Sequence, residues 1–290
     1  MRTACKVILQ KKIMGNSKVW YITGASKGMG LSLTRQLLAK GQHVAATSRS
    51  IAAFKAFEGN GGRFLPLEVD LESEQSITAS IKKVYEKFGR LDVVVNNAGY
   101  GLGGALEELT PGEIDRNFQV NFFAVVRVVQ QALPYMRRQR SGHIINISSI
   151  AGFAPGSGWS MYCAAKFAVS GLSEALAHDL KPLGIHVTNV MPGWFRTSFA
   201  KAGSIEYSRI QIEDYAYLRK NHDKMNSMDG MQPGDPDKIA DVFLKLVASP
   251  NPATDLFLGS DAFNRAKIKI AELQAQMDTW KDISFLTDFT

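Results

Sequence analysis

A chain of 290 residues with 45% hydrophobic content can bury a large core, and α/β chains of this length often remain one domain. No apolar stretch reaches the ~20 residues of a membrane-spanning helix, and two cysteines supply no disulfide framework, so the expected compartment is a reducing cytoplasm. The formal charge of +7 is concentrated at one end: Arg2, Lys6, Lys11 and Lys12 precede residue 15 with no acid among them, leaving +3 elsewhere, and without a basic stripe nucleic acid is not an expected partner.

Residues 1–15 are expected to form a basic, disordered tail whose apolar run is too short for a secretory core, or to precede a true start at Met14. The first strand, 18–23, runs into Thr23-Gly24-Ala25-Ser26-Lys27-Gly28-Met29-Gly30 and then a helical pattern through Leu31, Leu33, Leu37 and Leu38. Glycines at such a turn allow close approach of a pyrophosphate, whose charge is favoured by free amides at a helix start. The second strand, 42–48, ends in Ser48 followed by Arg49, and the third, 63–69, leads to Asp70 and Leu71. The fourth, 91–95, enters Asn96-Asn97-Ala98-Gly99, after which Tyr100 and Leu102 are candidates for a cleft wall.

Pro111 opens a long helical region to about 139 that contains Asn121. The fifth strand, 143–148, delivers Ser149 to a carboxyl-terminal strand edge, where parallel sheets bind ligands. A helix over 161–180 carries Tyr162 and Lys166 and is stopped by Pro182 and Gly184; the sixth strand, 185–191, leads into Pro192-Gly193. The irregular stretch 194–232, with Trp194, Phe195, Phe199 and several methionines, suits a movable substrate lid. The seventh strand, 255–259, precedes a last helix over about 261–279 that places Ala262, Ala266, Ile270 and Leu273 on one face, to pack on the domain or on a partner subunit. Strands alternating with helices imply a single α/β domain over 16–260: a Rossmann-type doubly wound parallel sheet of about seven strands, with 261–290 as a helical extension.

Tyr162 and Lys166 are four apart and so share a helix face. Model tyrosine titrates at about 10; a neighbouring cation that favours phenolate moves the group toward neutral pH, where acid and base catalysis works best. Ser149 lies thirteen residues upstream, so a hydroxyl, a phenol and an ammonium would face one cleft. That combination suits carbonyl and alcohol chemistry. The spacing selects Ser149 over its neighbour Ser148. His143, His178 and His186 have no ligand-like spacing, and no metal is expected.

Thr23-Gly24-x-x-x-Gly28-x-Gly30, Asn96-Asn97-Ala98-Gly99, Asn121, Ser149, Tyr162, Lys166 and Pro192-Gly193, in this order, resemble the short-chain dehydrogenase/reductase family over residues 18 to about 260. The resemblance implies Tyr162 as acid/base, with Lys166 holding the nicotinamide ribose and lowering the tyrosine's pKa. Ser149 would orient the substrate oxygen, and Asn121 would anchor a water that relays protons. It places the cofactor along Gly24, Ser26, Lys27, Gly28, Met29, Gly30, Ser48, Arg49, Asp70, Leu71, Asn97, Ala98, Gly99, Tyr162, Lys166, Pro192, Gly193 and Thr197. The long helices 111–139 and 161–180 resemble the faces through which family members form homodimers and homotetramers.

Where NAD enzymes usually carry an acid after the second strand, this chain has Ser48-Arg49, and Lys27 adds a cation; an arginine can grip the extra phosphate of NADP, so NADP(H) is the expected cofactor. Phe153, Trp159, Trp194, Phe195 and Phe199 would line an apolar pocket for a ketone, aldehyde or secondary alcohol. Lys201, Arg209, Arg219 and Lys220 offer an alternative, anion-recruiting lining. Asp70 could meet the adenine ring or simply start a helix. Two other readings remain at this level: an NADP(H)-binding regulator without catalysis, for which a proton relay would be superfluous, and a sugar-nucleotide epimerase, disfavoured by the glycine spacing.

Overall fold

The computed structural model describes residues 17–57, 59–197, 204–227 and 229–289. Its centre is a seven-stranded, all-parallel sheet in the order β3-β2-β1-β4-β6-β7-β9. The strands are β1 Val19–Ile22, β2 His43–Ser48, β3 Phe64–Glu68, β4 Val93–Asn96, β6 Gly142–Ile147, β7 Ile185–Pro192 and β9 Asp255–Leu258. The seven expected strands are all present, within two residues at each end. β5 (Gly101–Gly103) and β8 (Ile205–Tyr207) form a separate two-stranded parallel sheet that the sequence pattern did not disclose.

Both faces of the large sheet are covered, so the strands carry unbroken apolar runs whose alternate side chains serve different cores. Val19 and Tyr21 of β1 join one cluster with Ile77, Ile81 and Val84 of α2 (Glu74–Phe88) and with Val125, Val128, Val129, Ala132 and Met136 of α4 (Ala124–Gln139). Trp20 and Ile22 point the other way, to Leu33, Leu37 and Leu38 of α1 (Gly28–Ala39) and Ile239, Ala240, Phe243 and Leu246 of α7 (Ile239–Ala248). The apolar spacing of 3, 4 and 7 along these helices is what turns one stripe onto the sheet.

Local chemistry fixes the element ends. Thr110 and Glu113 form a reciprocal capping box at α3 (Pro111–Phe118), with Pro111 in its first turn. Ser73 caps α2, whose far end is closed by left-handed Gly89. α3 and α4 are joined by a π-helical segment, Gln119–Phe123, so the expected long helix is present with a distorted turn around Asn121. α5 (Ser160–Leu180) ends at Pro182 and left-handed Gly184 as expected.

α6 spans Ala216–Ser227. α8 runs from Ser260 to Phe285, six residues past the expected end. Ala262 and Ala266 are buried against Ile150 and Ala154, but the same stripe is uncovered at Ile270 and Leu273, which are 53% and 40% exposed. Only the first turns of this helix therefore pack on the domain. Among the described residues no helix is long and apolar enough to cross a membrane.

Candidate active site

The chain leaves the middle of the sheet in one direction through β1, β2 and β3 and returns through β4 on the other side of β1, so a crevice opens at the carboxyl ends of β1 and β4. The two ends are tied together by polar side chains. Thr23 Oγ1 accepts from the amides of Asn97 and Ala98 at 3.0 and 3.1 Å, and Asn97 Nδ2 donates to the carbonyls of Thr23 and Gly24 at 3.0 and 3.1 Å. Gly24 has φ +62°, and a Cβ there would lie 2.7 Å from Ala98 Cα.

A cavity of about 590 Å³ follows this edge. Gly24, Ser26, Lys27, Gly28 and Met29 line one wall; Ser48, Arg49, Asp70, Leu71 and Glu72 line the far end; Asn97, Ala98 and Gly99 form the floor; Pro192, Gly193 and Thr197 complete the opposite side. α1 begins in this wall, and its N-cap residue Lys27 makes no side-chain cap hydrogen bond to the helix start. Gly30 does not line it: a Cβ there would meet Asn97 Nδ2 at 2.5 Å and Gly24 O at 2.7 Å, so this glycine serves helix–turn packing. Asp70 lines the cavity and accepts the Glu72 amide at 2.9 Å in a local turn, but it does not start the helix, which begins at Glu74 with Ser73 as its cap.

At the end of β6 two adjacent serines diverge. Ser148 turns inward, donating to Lys166 O at 2.8 Å and meeting Ser170 Oγ at 3.1 Å. Ser149 lines the cavity beside Tyr162, near enough for its hydroxyl to favour the phenolate. Lys166, one turn after Tyr162 on α5, lies with Nζ 5.9 Å from the phenol ring centroid and donates to Ile147 O at 2.9 Å. Gly99 is the meeting point of Lys166 and Asn121: a Cβ there would be 3.3 Å from Lys166 Nζ and 2.6 Å from Asn121 Oδ1. Asn121, fully buried in the π-turn, sits behind the wall, where Oδ1 accepts from Tyr100 N at 3.1 Å and Nδ2 donates to Tyr100 O at 2.9 Å.

Burial pushes the Tyr162 phenol up to about 12, with the Ser149 hydroxyl opposing the shift. The same burial lowers the Lys166 amine to about 8. The expected downward pull of lysine on tyrosine is not among the causes of this shift, whose direction is set by desolvation.

The walls beyond the phenol correct several expectations. Trp159, Trp194 and Phe195 line the cavity, and Trp194 N donates to Asp261 Oδ2 at 2.7 Å. Phe153 does not; it packs edge-on against Phe257, with ring centroids 5.1 Å apart, beneath α8. Phe199 and Lys201 lie outside the described residues. Tyr100 reaches the cavity, whereas Leu102 is fully buried. Arg219 is bound to Glu108 at 2.8 Å, and neither Arg209 nor Lys220 lines the site.

The sequence reading missed Arg116 and Glu206, paired at 3.8 Å, as well as Asn221, Asn226 and Arg265. Asn221 and Met225, four apart on α6, offered a helical signal; Arg116, Glu206 and Arg265 come from three unrelated elements and gave none.

The family profile described as short chain dehydrogenase matches residues 18–207. The chain belongs to the short chain dehydrogenase family. It is 33% identical to Oxidoreductase BOA17 of Botryotinia fuckeliana over 92% of this chain and 98% of that protein. It is 39% identical to a 3-ketodihydrosphingosine reductase of Bacteroides thetaiotaomicron over 80% and 84%. The crystal structure of a short-chain dehydrogenase from Streptomyces avermitilis superposes with a TM-score of 0.88 at 33% identity, covering 94% of this chain and all of that one.

Two more distant structures carry nicotinamide cofactors. ElxO is solved with NADP bound (26% identity, TM-score 0.67, covering 83% and 96%). A 3-ketoacyl-(acyl-carrier-protein) reductase of Brucella melitensis is solved with NADH (25%, 0.68, 82% and 95%). The chain is accordingly an oxidoreductase of this family.

Proposed function

We propose that the protein is an NADP(H)-dependent oxidoreductase interconverting a ketone or aldehyde with the corresponding alcohol. The observation that carries this reading is that Ser149, Tyr162 and Lys166 line one cavity that continues to the glycine turn at Gly24–Gly28. The residues present suit a dinucleotide: the cavity runs from the glycine turn along Asn97, Ala98 and Gly99 to Ser149 and Tyr162, and α1 begins in its wall without a side-chain cap from Lys27, which leaves helix-start amides to favour a pyrophosphate. Arg49 and Lys27, at the end of β2 and in the turn, would hold the ribose phosphate, where a carboxylate would repel it. The bound nicotinamide supplies or accepts the hydride.

Tyr162, protonated in its buried setting, gives its proton to the substrate oxygen during reduction, and Ser149 orients that oxygen. Lys166 stabilises phenolate after the proton has left and holds the cofactor ribose. Asn121 keeps Tyr100 and the Gly99 backbone in place and anchors a water leading to Lys166. Trp194 and Phe195, with Asn221, Met225 and Asn226 of α6, cover the substrate side of the cavity as a lid.

The decisive experiment is oxidation of NADPH and NADH by purified protein across a panel of bulky ketones, aldehydes and quinones, with Tyr162→Phe alongside. Tyr162-dependent consumption favouring NADPH is expected; turnover that survives the substitution would refute the acid, and tight NADPH binding with no turnover anywhere on the panel would favour a non-catalytic regulator.

A further inference from the structure

The cations around the cavity are not equivalent. Arg49 and Lys27 stand at the cofactor end. On the substrate side Arg116 is paired with Glu206 at 3.8 Å. Arg265 lines the substrate side as well, beside Gly156 and Ser157, and makes no ion pair among the described residues. Its Nη2 is 3.3 Å from where Gly156 would carry a Cβ, so the guanidinium rests against the loop that joins Ser149 to Tyr162. The charge reaches the Cys163 thiol, which burial raises and Arg265 lowers.

The base of this side chain is rigid. Ala262 and Ala266, flanking Arg265 on α8, are buried at 0% and 2% exposure, and Asp261 at the start of the same helix holds Trp194 N. Asp261, one turn away, accepts Trp194 N on Oδ2 and forms no ion pair with the guanidinium among the described residues. A half-buried, pre-positioned arginine without a carboxylate is suited to an oxyanion, which it can grip with two parallel hydrogen bonds. With Arg116 neutralised, one unopposed cation fits one negative charge, so a carboxylate suits the site better than a phosphate dianion.

Resting on the oxidoreductase reading above, we infer that Arg265 selects substrates bearing a carboxylate, so that the natural carbonyl compound is an oxo acid, with its carboxylate on Arg265 and its carbonyl at Ser149 and Tyr162.

Binding and turnover test this separately. Tryptophan fluorescence, with Trp159 and Trp194 as cavity reporters, is titrated with hexanoate and with hexanamide in wild type and Arg265→Met. Saturable quenching by hexanoate, weakened at least fivefold in the variant, with hexanamide alike in both, is expected; equal responses to acid and amide overturn the assignment. In turnover, 5-oxohexanoate should exceed its methyl ester in kcat/KM by at least fivefold in wild type, and Arg265→Met should erase that preference through KM. Equal rates for acid and ester in wild type overturn the arginine assignment and leave the reductase reading standing. Carboxylate binding that needs Arg265, with no carbonyl reduced, supports the anion site and counts against the reductase.

Discussion

Glu108 and Arg219 join two parts of the chain 111 residues apart: Arg219 Nη1 on α6 donates to Glu108 Oε1 at 2.8 Å. The carboxylate also accepts the amides of Ile212 at 2.9 Å and Ala105 at 3.0 Å, while Ser208 Oγ donates to the Glu108 carbonyl. One buried acid thus secures the segment that brings Asn221, Met225 and Asn226 to the cavity. Glu108→Ala leaves Arg219 and two amides without their acceptor, and should cost about 3 kcal/mol in urea unfolding. KM for the carbonyl substrate should rise more than that for the cofactor.

The same pair makes stability acid-sensitive. Burial would raise the Glu108 carboxyl, but the two amides and Arg219 outweigh it and hold it below its usual value. Because the folded pKa is depressed, this stabilisation is complete above the unfolded value of about 4.3 and disappears as pH falls through the folded one. The gap between wild type and Glu108→Gln in urea melts should therefore shrink as pH falls below about 4.3 and close once the folded carboxyl is protonated; a gap that persists unchanged would contradict the ion pair.

Lys166 shifts stability in the same direction, in an alkaline window. Burial lowers its folded pKa to about 8, against about 10.4 in an unfolded chain. Between those values the unfolded state holds more protons, so stability grows as pH rises from about 8 to 10. Relative to Lys166→Met, the cofactor-free wild type should gain stability across this window, by thermal melts at pH 7.5 and 9.5. A constant difference would mean that the amine is not desolvated.

Arg49→Asp should weaken NADPH binding at least tenfold, about 1.4 kcal/mol, with NADH much less affected. Equal losses in titrations of the two cofactors would remove Arg49 from phosphate recognition.

Gly30→Ala addresses a contact that the glycine spacing conceals. The added methyl would need the space of Asn97 Nδ2 and Gly24 O, so a loss of about 1–3 kcal/mol is expected. Cofactor affinity should fall with it, because Asn97 holds the turn that contains Gly24. Unchanged stability would show that the turn can shift freely.

What could be read from the sequence followed from local chemistry. The seven strands are short apolar runs bounded by turn residues, and α3, α5 and their ends are announced by Thr110-Pro111, Pro182 and Gly184. Ser149 and Tyr162 lie thirteen residues apart on a strand end and the next helix, so their approach is a nearly local event. Phe153 was misplaced because aromatic identity does not say which side of a loop faces the cleft; Phe257, from a strand a hundred residues later, decides that. The pairing of Gly101–Gly103 with Ile205–Tyr207 was hidden for a similar reason, since neither three-residue strand has a pattern of its own. Burial was the other silent quantity: the Tyr-x-x-x-Lys spacing carries the neighbour but not the dehydration that reverses the sign of the shift on the phenol.

The family profile ends at residue 207, and Ser149, Tyr162, Lys166 and Asn121 all precede that point, whereas Asp261 and Arg265 follow it by more than fifty residues. The reacting groups and the groups that frame the opposite rim thus belong to separable stretches of chain. Exchanging the stretch from Ser260 onward between relatives would re-tailor what is admitted without disturbing proton transfer. A single helix start, seated by two alanines, gives this scaffold a place where new preferences can be grafted onto old chemistry.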